Sequence, residues 1–161
     1  MTRFALQFGH THPGVTYGER PAAYGLCPRG EKEVALVRSE HAGVAHYALP
    51  GGALDAGQDE AAALMREFLE ATGLTVWPTQ VIGRAGQYCQ VEGGARNTLA
   101  TFYEVELAAA DSAPQRDGLS LVWLAPKEAL MKVRHESHAW ALLHWLRARR
   151  GGEEHASARV R

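Results

Sequence analysis

Two carboxylates three residues apart, Glu67 and Glu70, stand in the run Arg66-Glu67-Phe68-Leu69-Glu70 of this 161-residue chain. On a helix that spacing puts both on neighbouring positions of one face, where their oxygens can converge on a hard divalent cation, Mg2+ being the natural candidate. Such an ion can neutralise negative oxygens and activate a water. The plainer reading is a solvated helix face, with Arg66 and Glu70 as an ordinary i,i+4 surface pair. Against it stands Pro50-Gly51-Gly52 upstream. With no side chain at 51 and 52, that loop can pass close to a helix and to phosphates.

The element that must position the carboxylates is a helix over Asp59 to Thr72, fourteen residues without Gly or Pro, closed by Gly73. Asp59 suits the N-cap, Glu60 the positive end of the dipole and Gly73 the left-handed C′ position. At 100° per residue Ala61, Leu64, Met65, Phe68 and Thr72 form a packing face, and Glu60, Ala63, Arg66, Glu67 and Glu70 the opposite one. Before this helix, Phe4 to Arg20 reads as an opening strand and loop. Ala22–Cys27 and Val34–Arg38 read as a hairpin turned at Pro28-Arg29-Gly30, and His46–Leu49 as a third strand. After it come Val81–Val91 and Thr98–Leu107, joined through Glu92-Gly93-Gly94, and then Leu119–Leu124. A short helix over Pro126–Met131 and an amphipathic one over Glu136–Arg147, with Trp140, Leu143 and Leu146 on one side, complete the chain. Residues 1–148 thus form one domain and 149–161 a polar, frayed tail. Strands on both sides of a central helix, with another helix at the end, predict an α/β/α sandwich on a mixed sheet.

Composition narrows the function. There are 17 Lys and Arg against 18 Asp and Glu, a net charge of −1, with 46% apolar and 22% charged residues. That is the profile of a globular domain with a real core. It lacks the basic field that draws a protein onto nucleic acid or an acidic membrane. Met1 to His10 carries no continuous apolar stretch, and the segment Ala139 to Leu146 is far shorter than the roughly 20 residues of a membrane span. Cys27 and Cys89 are not closely paired, which suits reduced thiols in a cytoplasm.

In Leu49-Pro50-Gly51-Gly52 and Arg66-Glu67-Phe68-Leu69-Glu70-Ala71-Thr72-Gly73-Leu74 the sequence resembles the Nudix hydrolases. The family's box runs from a glycine through a glutamate to Arg-Glu-hydrophobic-any-Glu-Glu-any-Gly-hydrophobic, and counting from Gly52 its spacing matches throughout. Arg20-Pro21-Ala22-Ala23-Tyr24 and Val122-Trp123-Leu124-Ala125-Pro126-Lys127-Glu128 look like Nudix flanks. Two box glutamates are changed: Gln58 stands for the first and Ala71 for the last. The resemblance implies a Nudix-type sandwich and Mg2+- or Mn2+-dependent hydrolysis of a diphosphate linkage in a nucleotide derivative. It further implies Glu70 as metal ligand, Glu67 as ligand or general base, Arg66 as the residue that orients it, and the Gly51 carbonyl as an additional ligand. Family members often recruit an acidic residue from a loop near the last strands. Glu104, Glu106, Asp111 and Asp117 are the candidates here, and Glu60, two turns before Glu67, is another.

Gly52, Tyr47, Arg84, Tyr88 and Asp117 are the candidate substrate contacts, along with Arg96, His135 and His138; aromatic and basic groups can stack on a base or meet a phosphate. His135 and His138 have an i,i+3 spacing seen in zinc sites, but lack a third ligand nearby. The partner expected is a small nucleotide, with no membrane and no nucleic acid, since Arg147, Arg149 and Arg150 make only a small basic cluster. The rival reading is a Nudix-fold nucleotide-binding or regulatory domain whose catalysis is weakened at Gln58 and Ala71. A carboxylate restored at position 71, about 40° from Glu67 on the helix, is expected to strengthen metal binding unless the site packs against the core.

Overall fold

Alternation along the strands sends successive side chains to two different cores. The computed structural model describes residues 6–91, 93–110 and 113–158. In β4 (Glu33–His41), Val34 and Leu36 join one apolar cluster and Ala35 the other; in β2 (Gly18–Leu26), Leu26 and Ala23 divide in the same way. One cluster lies under the helices α2 (Pro126–Lys132) and α3 (Glu136–Ala158), through Ala129, Ala141, Leu142 and Trp145. The other lies under α1 (Glu60–Thr72), through Leu64 and Phe68.

The strands form two sheets. The first is mixed and five-stranded, in the order β1 (Gln7–Phe8), β7 (Thr75–Val91), β8 (Gly94–Ala109), β2, β6 (Gly51–Ala53). Strand β2 runs parallel to β8, from Gly18 opposite Arg96 to Leu26 opposite Glu104, and antiparallel to β6. In the second sheet β4 is central, with β9 (Leu119–Leu124) along one edge and β3 (Pro28–Arg29) and β5 (Val44–Ala48) on the other. The result is the expected α/β/α arrangement with a mixed sheet.

Several details differ from the sequence reading. Strands β2 and β4 do not pair as a hairpin, because the chain at Cys27–Pro28 crosses from one sheet to the other, and the small hairpin there is β3 with β4. Strand β7 begins directly after α1 and accommodates Pro78 at a register shift against β8, the kind of position where proline's missing N–H costs no ladder bond. In α3 the buried side is His138, Ala141, Leu142 and Trp145, leaving Leu143 exposed. Helix α3 also continues beyond Arg147 to Ala158, through a stretch rich in helix-forming Ala, Arg and Glu. Glu92 and Phe4 lie outside the described residues. Cys27 is buried and both cysteines are free.

Candidate active site

Helix α1 starts and stops as its sequence dictates. The Asp59 side chain accepts the Ala62 N–H at 3.0 Å, and Gly73 ends the helix at φ 77°. The side it buries is wider than one stripe: Ala63, Glu67 and Ala71, spaced by four, are buried together with Leu64, Phe68 and Thr72. Glu67, assigned to the open polar face by periodicity, is only 9% exposed. The cause is that the helix also packs against β6, the edge strand of the five-stranded sheet, where Gly52 lies against the Glu67 side chain.

Strand β6 gets that close because two of its residues, Gly51 and Gly52, are glycines. A Cβ on Gly52 would sit 2.8 Å from Glu67 Oε2. At Gly51, φ is 144°, and a Cβ would lie 2.1 Å from the Ala23 carbonyl oxygen. The Pro50 carbonyl accepts the Gly25 N–H at 2.8 Å, and Gly51 and Gly52 pair with Tyr24 and Ala23. From the other side, the Leu49 N–H donates to His138 Nδ1 at 3.1 Å. His138 is 3% exposed, and its burial pushes its pKa down to about 3, so the imidazole is neutral and Nδ1 is an acceptor.

The carboxylates of Glu67 and Glu70 converge on one point, and a cation of the protein itself stands there. Arg116 Nη2, from the loop before β9, donates to Glu67 Oε2 and, at 2.7 Å, to Glu70 Oε2. Its backbone is fixed to the same helix: the N–H groups of Gln115 and Arg116 both donate to the Glu70 carbonyl, at 2.9 and 3.2 Å. Hydrogen bonding to Glu67, ahead of the opposing desolvation, raises the Arg116 pKa above its ordinary value. Arg66 Nη2 lies 3.6 Å from Glu67 Oε1, while the surface pair of Arg66 with Glu70 does not form.

The remaining carboxylates expected near this pair do other work. Asp117 is exposed, and the residue its loop turns onto α1 is the neighbouring Arg116. Glu104 accepts from Gln80 Nε2 at 2.5 Å and, with Glu106, borders a depression beside Pro28–Gly30 and Thr79. Glu60 accepts from the Tyr103 hydroxyl at 2.5 Å, and burial with this carboxylate pushes Tyr103 up to about 12. Asp111 lies outside the described residues. Gln58 accepts the Asp55 N–H at 3.0 Å and so closes the turn before α1. Ala71 is 3% exposed. Among the described residues no group of three or more His, Cys, Asp or Glu side chains is placed to share a metal ion.

The expected substrate contacts are dispersed, apart from Gly52. Tyr47 lies on β5 under the Lys132 ammonium, 5.2 Å from its ring, and Tyr88 packs edge-on against Tyr17 near β1. Arg84 donates to Thr101 Oγ1 at 3.3 Å. The α3 side of the sheet instead offers an open cleft of about 630 Å³ whose lining includes His41, His46, Gln90, Arg96 and Arg134. Next to it in the sheet register, Cys89 faces Arg96 and borders a small recess with Tyr24, His135 and His138. Burial pushes the Tyr24 hydroxyl up to about 12 and lowers His135. Sequence reasoning missed Arg116 and the acceptor role of His138, since neither belongs to a periodic pattern.

Residues 18–146 match the family model described as NUDIX domain. No curated protein matches the chain. Solved structures share the fold. A NUDIX hydrolase from Nitrosomonas europaea is 16% identical, with a TM-score of 0.69 over 81% of this chain and 90% of its own. The MutT protein from Methanosarcina mazei Go1 is 16% identical, with a TM-score of 0.66 over 84% and 99%. An Ap4A hydrolase from C. elegans is 15% identical, with a TM-score of 0.61 over 83% and 98%.

Proposed function

Because the chain belongs to the NUDIX family, we propose that it hydrolyses a diphosphate linkage in a small nucleotide derivative with the help of one divalent cation, Mg2+ or Mn2+. The observation that carries this reading is the convergence of Glu67 and Glu70 on a single cationic nitrogen beside Gly52. Two carboxylates, with phosphate and water oxygens completing the shell, are a common way of holding Mg2+, so the donor set fits one such ion. When bound, the ion would supply positive charge to the diphosphate oxygens and a more acidic water.

Glu67 and Glu70 are the side-chain ligands in this reading, and the Gly51 carbonyl is the additional one. Glu67, the more buried carboxylate, is the ligand or the base that takes the proton of the attacking water. Arg66 stands beside Glu67 Oε1 to orient it. Gly52 leaves room for the ligand carboxylate, and His138 holds the loop through Leu49. On the α3 side, the guanidinium groups of Arg96 and Arg134 and the histidines around them suit the anionic and aromatic parts of a nucleotide. Free thiols fit work in a cytoplasm, and among the described residues no helix is long and apolar enough to cross a membrane.

A specific observation favours a second reading. With Gln58 and Ala71 in the box and Arg116 on the two remaining carboxylates, the domain would bind nucleotides while turning them over poorly. Purified protein incubated with nucleoside triphosphates, nucleotide sugars, ADP-ribose and dinucleoside polyphosphates separates the two. Mg2+- or Mn2+-dependent cleavage is expected from the hydrolase; saturable nucleotide binding without cleavage would establish the alternative.

A further inference from the structure

Arg116 occupies the one point on which both box carboxylates converge. A divalent ion drawing on Glu67 Oε2 and Glu70 Oε2 needs the same oxygens, and a guanidinium and a dication cannot share so small a space. Resting on the metal-site reading above, we propose that Arg116 is a tethered counter-cation of this site, and that a divalent ion enters only by displacing its guanidinium from Glu67 and Glu70.

Three features make the exchange mechanically simple. The backbone at residues 115 and 116 is anchored to the Glu70 carbonyl, so the loop need not leave the helix. The Arg116 side chain is 42% exposed and rotates outward without opening the core. Charge also balances: the guanidinium neutralises one of two adjacent carboxylates that the metal-free protein would otherwise hold close together, Glu67 being largely shielded from water. The same contact that stabilises the metal-free protein therefore opposes the ion. Gln58 and Ala71 accentuate the competition, because neither brings a further carboxylate to favour the dication.

Mn2+ binding, followed by calorimetry and by the loss of the free-ion paramagnetic resonance signal, tests this without any substrate. Arg116→Ala and Arg116→Gln are compared with the wild type, each checked by a melting curve; the glutamine keeps an amide donor in place and guards against local collapse. Removal of a charged hydrogen-bonding competitor is expected to tighten Mn2+ binding roughly tenfold or more in the alanine variant, and less in the glutamine variant. In wild type, adding diamagnetic Mg2+ should shift the Arg116 side-chain NH resonance. Equal or weaker Mn2+ binding in both variants, with the wild type binding well, overturns the displacement and leaves the metal site standing. No Mn2+ binding by any of the three proteins overturns the metal-site reading itself, and the displacement with it.

Discussion

The segment from Leu49 to Gly52 has two neighbours of opposite character. On the α1 side it meets charge: Gly52 lies against the Glu67 carboxylate, which is balanced by Arg116 and flanked by Arg66. On the α3 side it meets a buried, neutral imidazole that accepts the Leu49 N–H and packs against the rings of Tyr24 and Phe102. The first contact is strong only while its ionic partners remain, and those partners can be exchanged for other cations. The second depends on burial and is indifferent to ions. A loop set between the two can tolerate a change of charge on one side because its position is fixed from the other.

The largest test breaks the charged side. Glu67→Gln and Glu70→Gln should each lower metal-dependent hydrolysis by about a hundredfold or more, in the range for a lost acid–base or ligand group. Their melting temperatures should stay near wild type, because the partner carboxylate retains Arg116. Full turnover in both variants would remove the α1 site from the chemistry.

The neutral side breaks differently. His138→Ala leaves the Leu49 N–H unpaired and opens a cavity, which should cost about 3 kcal/mol of stability, measured by denaturant unfolding. Acid provides a subtler probe of the same group. The folded pKa of about 3 lies below the ordinary 6.5, so between those values the unfolded chain binds more protons at this position than the folded one. This contribution to stability is complete above about pH 6.5 and is lost as pH falls towards 3. His138→Asn should flatten that part of the pH–stability curve relative to wild type.

A smaller effect is expected where α1 turns inward. Ala71→Glu should destabilise the metal-free protein by about 2 kcal/mol, because Ala71 is 3% exposed and a carboxylate there is desolvated. Saturating Mg2+ should restore part of the loss, and a melting curve with and without the ion reads both. The smallest effect lies at the helix start, where Asp59→Ala should cost about 1 kcal/mol through the lost bond to the Ala62 N–H, with the metal response unchanged.

Helix α1 was legible because its signals are local: a cap, an uninterrupted run and a terminating glycine. Strand β9 was legible for a similar reason, as a short apolar run between turns. What local signals cannot carry is the identity of the neighbour. Pro28-Arg29-Gly30 reads as a hairpin turn, yet the chain there passes between two sheets. Glu67 reads as exposed because periodicity recognises one buried stripe, while the edge strand β6 also packs against the helix, with Gly52 against Glu67. The loop carrying Arg116 has no pattern at all, and its contact with Glu67 joins residues 49 positions apart. Acidic character near the last strands singles out Asp117, one residue from the side chain that reaches the pair.

The packing at Gly51 and Gly52 has a consequence for how such a protein can drift under mutation. Any side chain at 51 runs into the β2 backbone, so that position is held by sterics whatever the protein catalyses, whereas a side chain at 52 meets only the end of the Glu67 side chain, which can turn aside. Gln58 lies in a surface turn, where a change of side chain meets no such wall. A lineage relieved of the demand for fast turnover could lose carboxylates from the box one at a time and still keep Gly51. The frame of an active site would then outlast its chemistry, and an intact frame is by itself a poor measure of how fast an enzyme works.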